Sequence, residues 1–210
     1  MSRPALSVDG LCMRYADREI FRDLSFTLDS GEVLAVTGEN GIGKSTLLRI
    51  LARLERPTNG CSTLIGENGR AVPDASYRNA VGYTAPSVRL YGMFTVEETL
   101  AMSGSLRGTR IPATVIAQEC ARVGLSDRRN DPVSALSTGL VQRLKLAVAV
   151  VHRPTLLLLD EPSSNLDEAG RRVVGQILED HRSRGGVACL ATNDTQDLAF
   201  CSRELWLRHP

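Results

Sequence analysis

The 210-residue chain lacks what would tie it to nucleic acid, to a bilayer or to an oxidising compartment. Its 25 Lys and Arg nearly balance 24 Asp and Glu, for a formal net charge of +1. The charges are interspersed, so the electrostatic footprint of a nucleic-acid binder is missing. Short basic pairs such as Arg128-Arg129 and Arg171-Arg172 read as solvated surface. The longest apolar runs, Leu156 to Leu159 and Leu146 to Val151, fall far short of the ~18 residues that span a bilayer, and no N-terminal signal peptide is visible. Any work at a membrane therefore needs an anchor from elsewhere. The five cysteines, Cys12, Cys61, Cys120, Cys189 and Cys201, form no C-x-x-C pair, and several sit among apolar neighbours. Reduced, cytosolic thiols follow from that pattern. No internal repeat or low-complexity segment is evident.

What is present begins with alternation. Leu6 to Met13 and Phe21 to Leu28 alternate apolar and polar residues around the turn Ala16-Asp17-Arg18, which predicts two antiparallel strands. Further strands are expected at Val33 to Thr37, Cys61 to Ile65, Val81 to Tyr83, Leu156 to Leu159, Val187 to Ala191 and Glu204 to Leu207. Helical spacing marks Ser45 to Leu54, a pair between Val96 and about Val123 broken by Gly108 and Pro112, then Leu140 to Val151 and Glu168 to Arg184. Gly66 to Ser76 reads as a polar loop. Alternating strands and helices predict a largely parallel, wound α/β sheet with ligands at the carboxyl ends of its strands, an antiparallel β subdomain before it and a small helical insert at about residues 87–135.

The chain is organised around Val33 to Thr46, VLAVTGENGIGKST. Gly38, Gly43, Lys44 and Ser45 match G-x-x-x-x-G-K-[ST], between an apolar strand and an amphipathic helix. Glycine lets the backbone turn back with φ > 0, so the stretch Gly38, Glu39, Asn40, Gly41, Ile42, Gly43, Lys44, Ser45 and Thr46 aims N–H groups at phosphate oxygens, backed by the helix N-terminus. Lys44 would reach the β- and γ-phosphates, and the Ser45 hydroxyl would bind Mg²⁺. A phosphate cradle alone does not hydrolyse anything. Four leucines running into Asp160-Glu161 supply the remaining parts: Asp160 for the Mg²⁺ shell and Glu161 as general base for an attacking water.

The order of this loop, LSTGLVQR at Leu136 to Arg143, LLLLDEP at Leu156 to Pro162 and SNLD at Ser164 to Asp167 resembles the ATP-binding subunit of an ABC transporter over nearly the whole chain. The resemblance implies a P-loop NTPase fold, ATP and Mg²⁺ as cofactors, and two ATPase domains packed head to tail, as a homodimer or heterodimer. Ser137 and Gly139 would then close over ATP held by the other copy's glycine loop, with Ser137 and the N–H groups of Thr138 and Gly139 opening a helix toward the anion. Asp167 resembles the inter-subunit contact residue, and Tyr15 the aromatic that stacks on adenine. The partner implied is an integral membrane permease docked near the helical insert, with the ATPase on the cytoplasmic side of the membrane and no nucleic acid bound. Small haem-exporter-like and multidrug-type subunits are resembled about equally.

Two positions depart from the family pattern. Pro86 stands where a glutamine meets Mg²⁺, and proline has neither a side-chain acceptor nor a backbone donor. Water, Thr84 or Ser87 would have to complete that shell. Asn193 stands where a histidine lies beside the γ-phosphate; its amide donates a hydrogen bond but exchanges no proton near pH 7. Hydrolysis is therefore expected to persist through Glu161 but to be slow. The departures also keep open a nucleotide-gated assembly module with little turnover. A chromosome-type ATPase is disfavoured, because coiled-coil insert, zinc spacing and basic patch are all missing.

Overall fold

The computed structural model describes residues 4–66 and 68–208. β1 (Pro4–Tyr15) and β2 (Arg18–Asp29) pair antiparallel, and β4 (Asn59–Leu64) pairs antiparallel with the other edge of β1. The second sheet contains β3 (Val33–Thr37), β5 (Val81–Thr84), β6 (Leu156–Asp160), β7 (Val187–Ala191) and β8 (Arg203–Trp206), all parallel, in the order β5-β6-β7-β3-β8. Every residue of β3, β6 and β7 is buried. Strands covered on both faces need apolar side chains at every position, which is why these segments read as continuous rather than alternating runs.

The helices are α1 (Lys44–Leu51), α2 (Asp74–Ala80), α3 (Val96–Ser105), α4 (Ala113–Arg122), α5 (Thr138–Val150), α6 (Glu168–Ser183) and α7 (Thr195–Leu198), with 3₁₀ turns at Ser126–Arg128 and Val133–Ala135. Each face of the parallel sheet has its own core. Leu34, Val36, Leu156 and Leu158 pack with Leu47 and Leu51 of α1 and with Leu6, Leu11 and Leu28 of the antiparallel sheet. Val33, Leu157, Leu159 and Leu190 pack on the other side with Leu144, Ala147, Val174 and Ile177, and this core runs on to Leu100 and Ile116 of α3 and α4. At ~1.5–3 kcal/mol for each fully buried large apolar side chain, these two layers dominate the favourable side of folding.

Two boundaries differ from the periodicity. α1 ends at Leu51 instead of Leu54, because Arg53 adopts φ +56 and turns the chain, leaving Leu54 63% exposed. The polar loop expected to Ser76 gives way to α2 at Asp74. That helix has a single buried residue, Tyr77, which donates to the Leu51 carbonyl at 2.8 Å and lies under the Arg53 guanidinium. One anchoring aromatic leaves no period to read.

The strand order sets up the site. β6, β7 and β3 are neighbours, so the segments leaving their carboxyl ends, which begin at Glu161, Thr192 and Gly38, emerge side by side.

Candidate functional site

The glycine loop joins β3 to α1. Gly38, Gly41 and Gly43 have φ of +135°, +78° and +116°. At Gly43 a Cβ would lie 2.4 Å from Ile20 Cγ2, and at Gly38 it would lie 2.7 Å from the Leu207 carbonyl oxygen, so both positions exclude any side chain. Ile42 is buried in the core and pins the loop between them. Gly43 caps α1 without a side-chain hydrogen bond, which leaves the first N–H groups of that helix for an anion.

Lys44 is 8% exposed and donates from Nζ to the carbonyls of Gly38 at 2.7 Å and Glu39 at 3.1 Å. Burial pulls its ammonium below the usual lysine range, and the charges of Glu161 and Asp160 oppose that shift. Asp160, 6% exposed at the end of β6, shows the converse. Burial raises its carboxyl, the neighbouring Ser45 hydroxyl lowers it, Glu161 adds to the rise, and the charges of Arg49 and Lys44 lower it. Glu161 follows with φ +47, unusual for a residue with a side chain, and its N–H donates to the Ala191 carbonyl at 2.9 Å.

Tyr15, Asn40, Gly41, Gly43, Lys44, Ser45, Thr46, Asp160 and Glu161 line one cleft of about 510 Å³. Tyr15 stands 42% exposed at its rim, its hydroxyl on Glu55, while Arg49 bonds Glu55 at 2.9 Å and Thr46 at 3.0 Å. Asn193 reaches the glycine loop through a bond to Asn40. The sequence reading missed Arg18 and Ile20, which also line the cleft; their position directly after the turn at Tyr15 was the available signal.

The donors suit a nucleoside triphosphate with a divalent cation. Among the described residues, no cluster of three or more His, Cys, Asp or Glu could hold a metal by itself. Ser45 and Asp160 would therefore share a hard cation with phosphate oxygens, the usual arrangement for Mg²⁺. Thr84 is not positioned to join them. Its register partner on β6 is Leu159, so it faces the opposite side of the sheet from Asp160, and its buried hydroxyl has no partner. Pro86 accepts from Lys145 Nζ at 3.4 Å through its carbonyl.

Ser137, Gly139 and Asp167 do not line this cleft. Ser137 caps α5, accepting from the Leu140 N–H at 3.4 Å, and a Cβ on Gly139 would lie 3.2 Å from the Asn165 carbonyl oxygen. Asp167 caps α6, accepting from the Gly170 N–H at 2.8 Å and from Arg143 at 2.6 Å; these two bonds hold its carboxyl below the usual range. The three form a second, separate patch where the N-termini of α5 and α6 approach each other.

A family model described as "ABC transporter" matches residues 21–164. Over 198 residues the chain is 36% identical to the cytochrome c biogenesis ATP-binding export protein CcmA of Nitrosococcus oceani, covering 94% of this chain and 90% of that one. It is 35% identical to the lipoprotein-releasing system ATP-binding protein LolD 1 of Caulobacter vibrioides, covering 91% and 85%. Among solved structures, a putative ABC transporter ATP-binding protein from Pyrococcus furiosus superposes with a TM-score of 0.80 at 25% identity, covering 96% of both chains.

Proposed function

The chain belongs to the ABC transporter family as one of its ATP-binding proteins, and on that premise we propose that it hydrolyses ATP to drive a separate membrane permease, through dimers that close on ATP and reopen after cleavage. The observation that carries this reading is the convergence of Lys44, Ser45, Asp160 and Glu161 in one cleft. Lys44 and the loop N–H groups bind and orient the phosphates. Ser45 and Asp160 would hold Mg²⁺, which when bound would offset charge building on the phosphate oxygens. Glu161 takes the proton of the attacking water.

In this scheme the cleft of one copy is half a site, and the patch at Ser137, Gly139 and Asp167 of a second copy, in a homodimer or a related heterodimer, completes it. Two γ-phosphates then tie two copies together, and cleavage removes the tie. Among the described residues no helix is long and apolar enough to cross a membrane. Attachment at the cytoplasmic face would come through the permease, docked on the segment between β5 and α3, where Tyr91 and Met93 are 64% and 83% exposed. Asn193 and Pro86 make turnover slow.

The test is ATP binding and Mg²⁺-dependent hydrolysis by the purified protein beside Lys44→Ala. A hydrogen-bonded charge is worth ~1.5–3 kcal/mol, so affinity should fall roughly tenfold to a hundredfold. A protein that binds no nucleotide, or a variant that binds as well as the parent, contradicts the proposal.

A further inference from the structure

Ser163, Thr192 and Asp197 lie outside the cleft, yet they are 3%, 2% and 1% exposed and bonded into one unit. Asp197 stands on α7, and one of its carboxylate oxygens accepts from the Ser163 hydroxyl while the other accepts from the Thr192 hydroxyl at 3.0 Å. Thr192 Oγ1 accepts in turn from the Asp194 N–H at 3.0 Å. Asp194 caps α7 and pairs with Arg171 of α6, whose guanidinium also feels the Asp197 charge. A buried carboxylate is costly unless its lone pairs are met, so one that joins two loops in this way fixes both.

The two loops are those of the cleft. Ser163 comes two residues after Glu161, and Thr192 directly precedes Asn193. The Glu161 backbone sits in a sparsely populated conformation, of the kind that persists only where its surroundings over-determine it. Here the Glu161 N–H is held by Ala191, and the following turn, closed by Ser164 N–H on the Glu161 carbonyl at 3.1 Å, is held by Ser163 on Asp197.

We infer that Asp197 is a positioning residue: by accepting from Ser163 and Thr192 at once, its carboxylate holds Glu161 and Asn193 in fixed relation at the γ-phosphate end of the cleft. The inference rests on the hydrolysis proposed above. Asp197 is buried and does not line the cleft, so it acts on the chemical step and not on affinity. Its two bonds also link the loop leading to Asp167 with the loop carrying Asn193.

The experiment compares Asp197→Ala, Asp197→Asn and Ser163→Ala with the parent in equilibrium ATP affinity, kcat, and amide hydrogen exchange at Glu161, Ser164 and Asp194 without nucleotide. Misplacing a catalytic group by about 1 Å costs roughly a hundredfold, so Asp197→Ala should lower kcat roughly tenfold to a hundredfold while affinity stays within about threefold. Exchange at the three amides should speed up. Asp197→Asn should recover most of the rate, because its amide oxygen accepts from one hydroxyl while its NH₂ donates to the other. Ser163→Ala should fall between, and these two milder variants carry the test if Asp197→Ala does not fold. Unchanged exchange, unchanged kcat, or equal losses in kcat and affinity overturn the inference. Were the parent to bind ATP without turnover, the hydrolysis reading alone would fail, and exchange would still decide the tether.

Discussion

The Asn193 side-chain amide donates to Asn40 Oδ1 at 3.2 Å, tying the loop that leaves β7 to the glycine loop that leaves β3. In the proposed hydrolysis this amide supplies a donor, but no titrating group, to the terminal phosphate. Asn193→His should therefore raise turnover at saturating ATP by roughly tenfold or more, since a positioned acid–base group contributes ~10²–10⁴ where proton transfer limits the rate. Asn193→Ala should lower it below the parent. Steady-state phosphate release checks both, and equal rates for parent and Asn193→His count against slow turnover through Asn193.

Tyr15 is held at the cleft rim by Glu55, which Arg49 fixes to Thr46 on α1. Stacking of a base on an aromatic ring is worth ~1–3 kcal/mol, so Tyr15→Ala should weaken ATP binding by about tenfold while leaving inorganic triphosphate unaffected. Tyr15→Phe should keep stacking but lose the Glu55 anchor, with an intermediate affinity. Competition binding with both ligands separates these outcomes; parallel losses for ATP and triphosphate would remove Tyr15 from the adenine side.

The parts of this site that were legible in the sequence are those whose chemistry is local. Gly38 and Gly43 are needed where a Cβ would strike Leu207 and Ile20, and that need writes itself into one short motif. The four leucines before Asp160 mark a strand covered on both faces. The Asp197 tether was not legible, because Ser163, Thr192 and Asp197 are spread along the chain and meet only when β6 and β7 become neighbours. Thr84 stood open beside water and Ser87 for the cation shell, and only its register against Leu159 turns it away from Asp160, which one sequence does not reveal. Helix α2 was hidden for a different reason: its order comes from Tyr77 bonding to Leu51, a tertiary contact and not a local preference.

His152 supplies a stability prediction independent of nucleotide. Burial, with Arg107 nearby, lowers its pKa from the ordinary 6.5 to about 4, against carbonyl contacts at Val81 and Val148 that raise it. Because the folded state binds this proton less tightly than the unfolded chain, the contribution is fully present above about pH 6.5 and is lost as pH falls toward 4. His181 is lowered in the same direction, also chiefly by burial. Between pH 7 and pH 5 the His152 share amounts to about 2 kcal/mol. His152→Gln should flatten the denaturant-derived stability profile by about that amount over this window; an unchanged slope contradicts the assignment.

In the homodimer form of the proposal, ATP joins two copies of this chain and hydrolysis parts them. Glu161→Gln keeps the glycine loop, Lys44, Ser45 and Asp160 intact while removing the proton acceptor. The decisive measurement is the solution mass of Glu161→Gln with and without saturating Mg²⁺-ATP, by light scattering after size separation. We predict a monomer without nucleotide and a stable dimer with it, lost again when Ser137 is changed to Arg. A protein that binds ATP yet stays monomeric at every concentration contradicts the account.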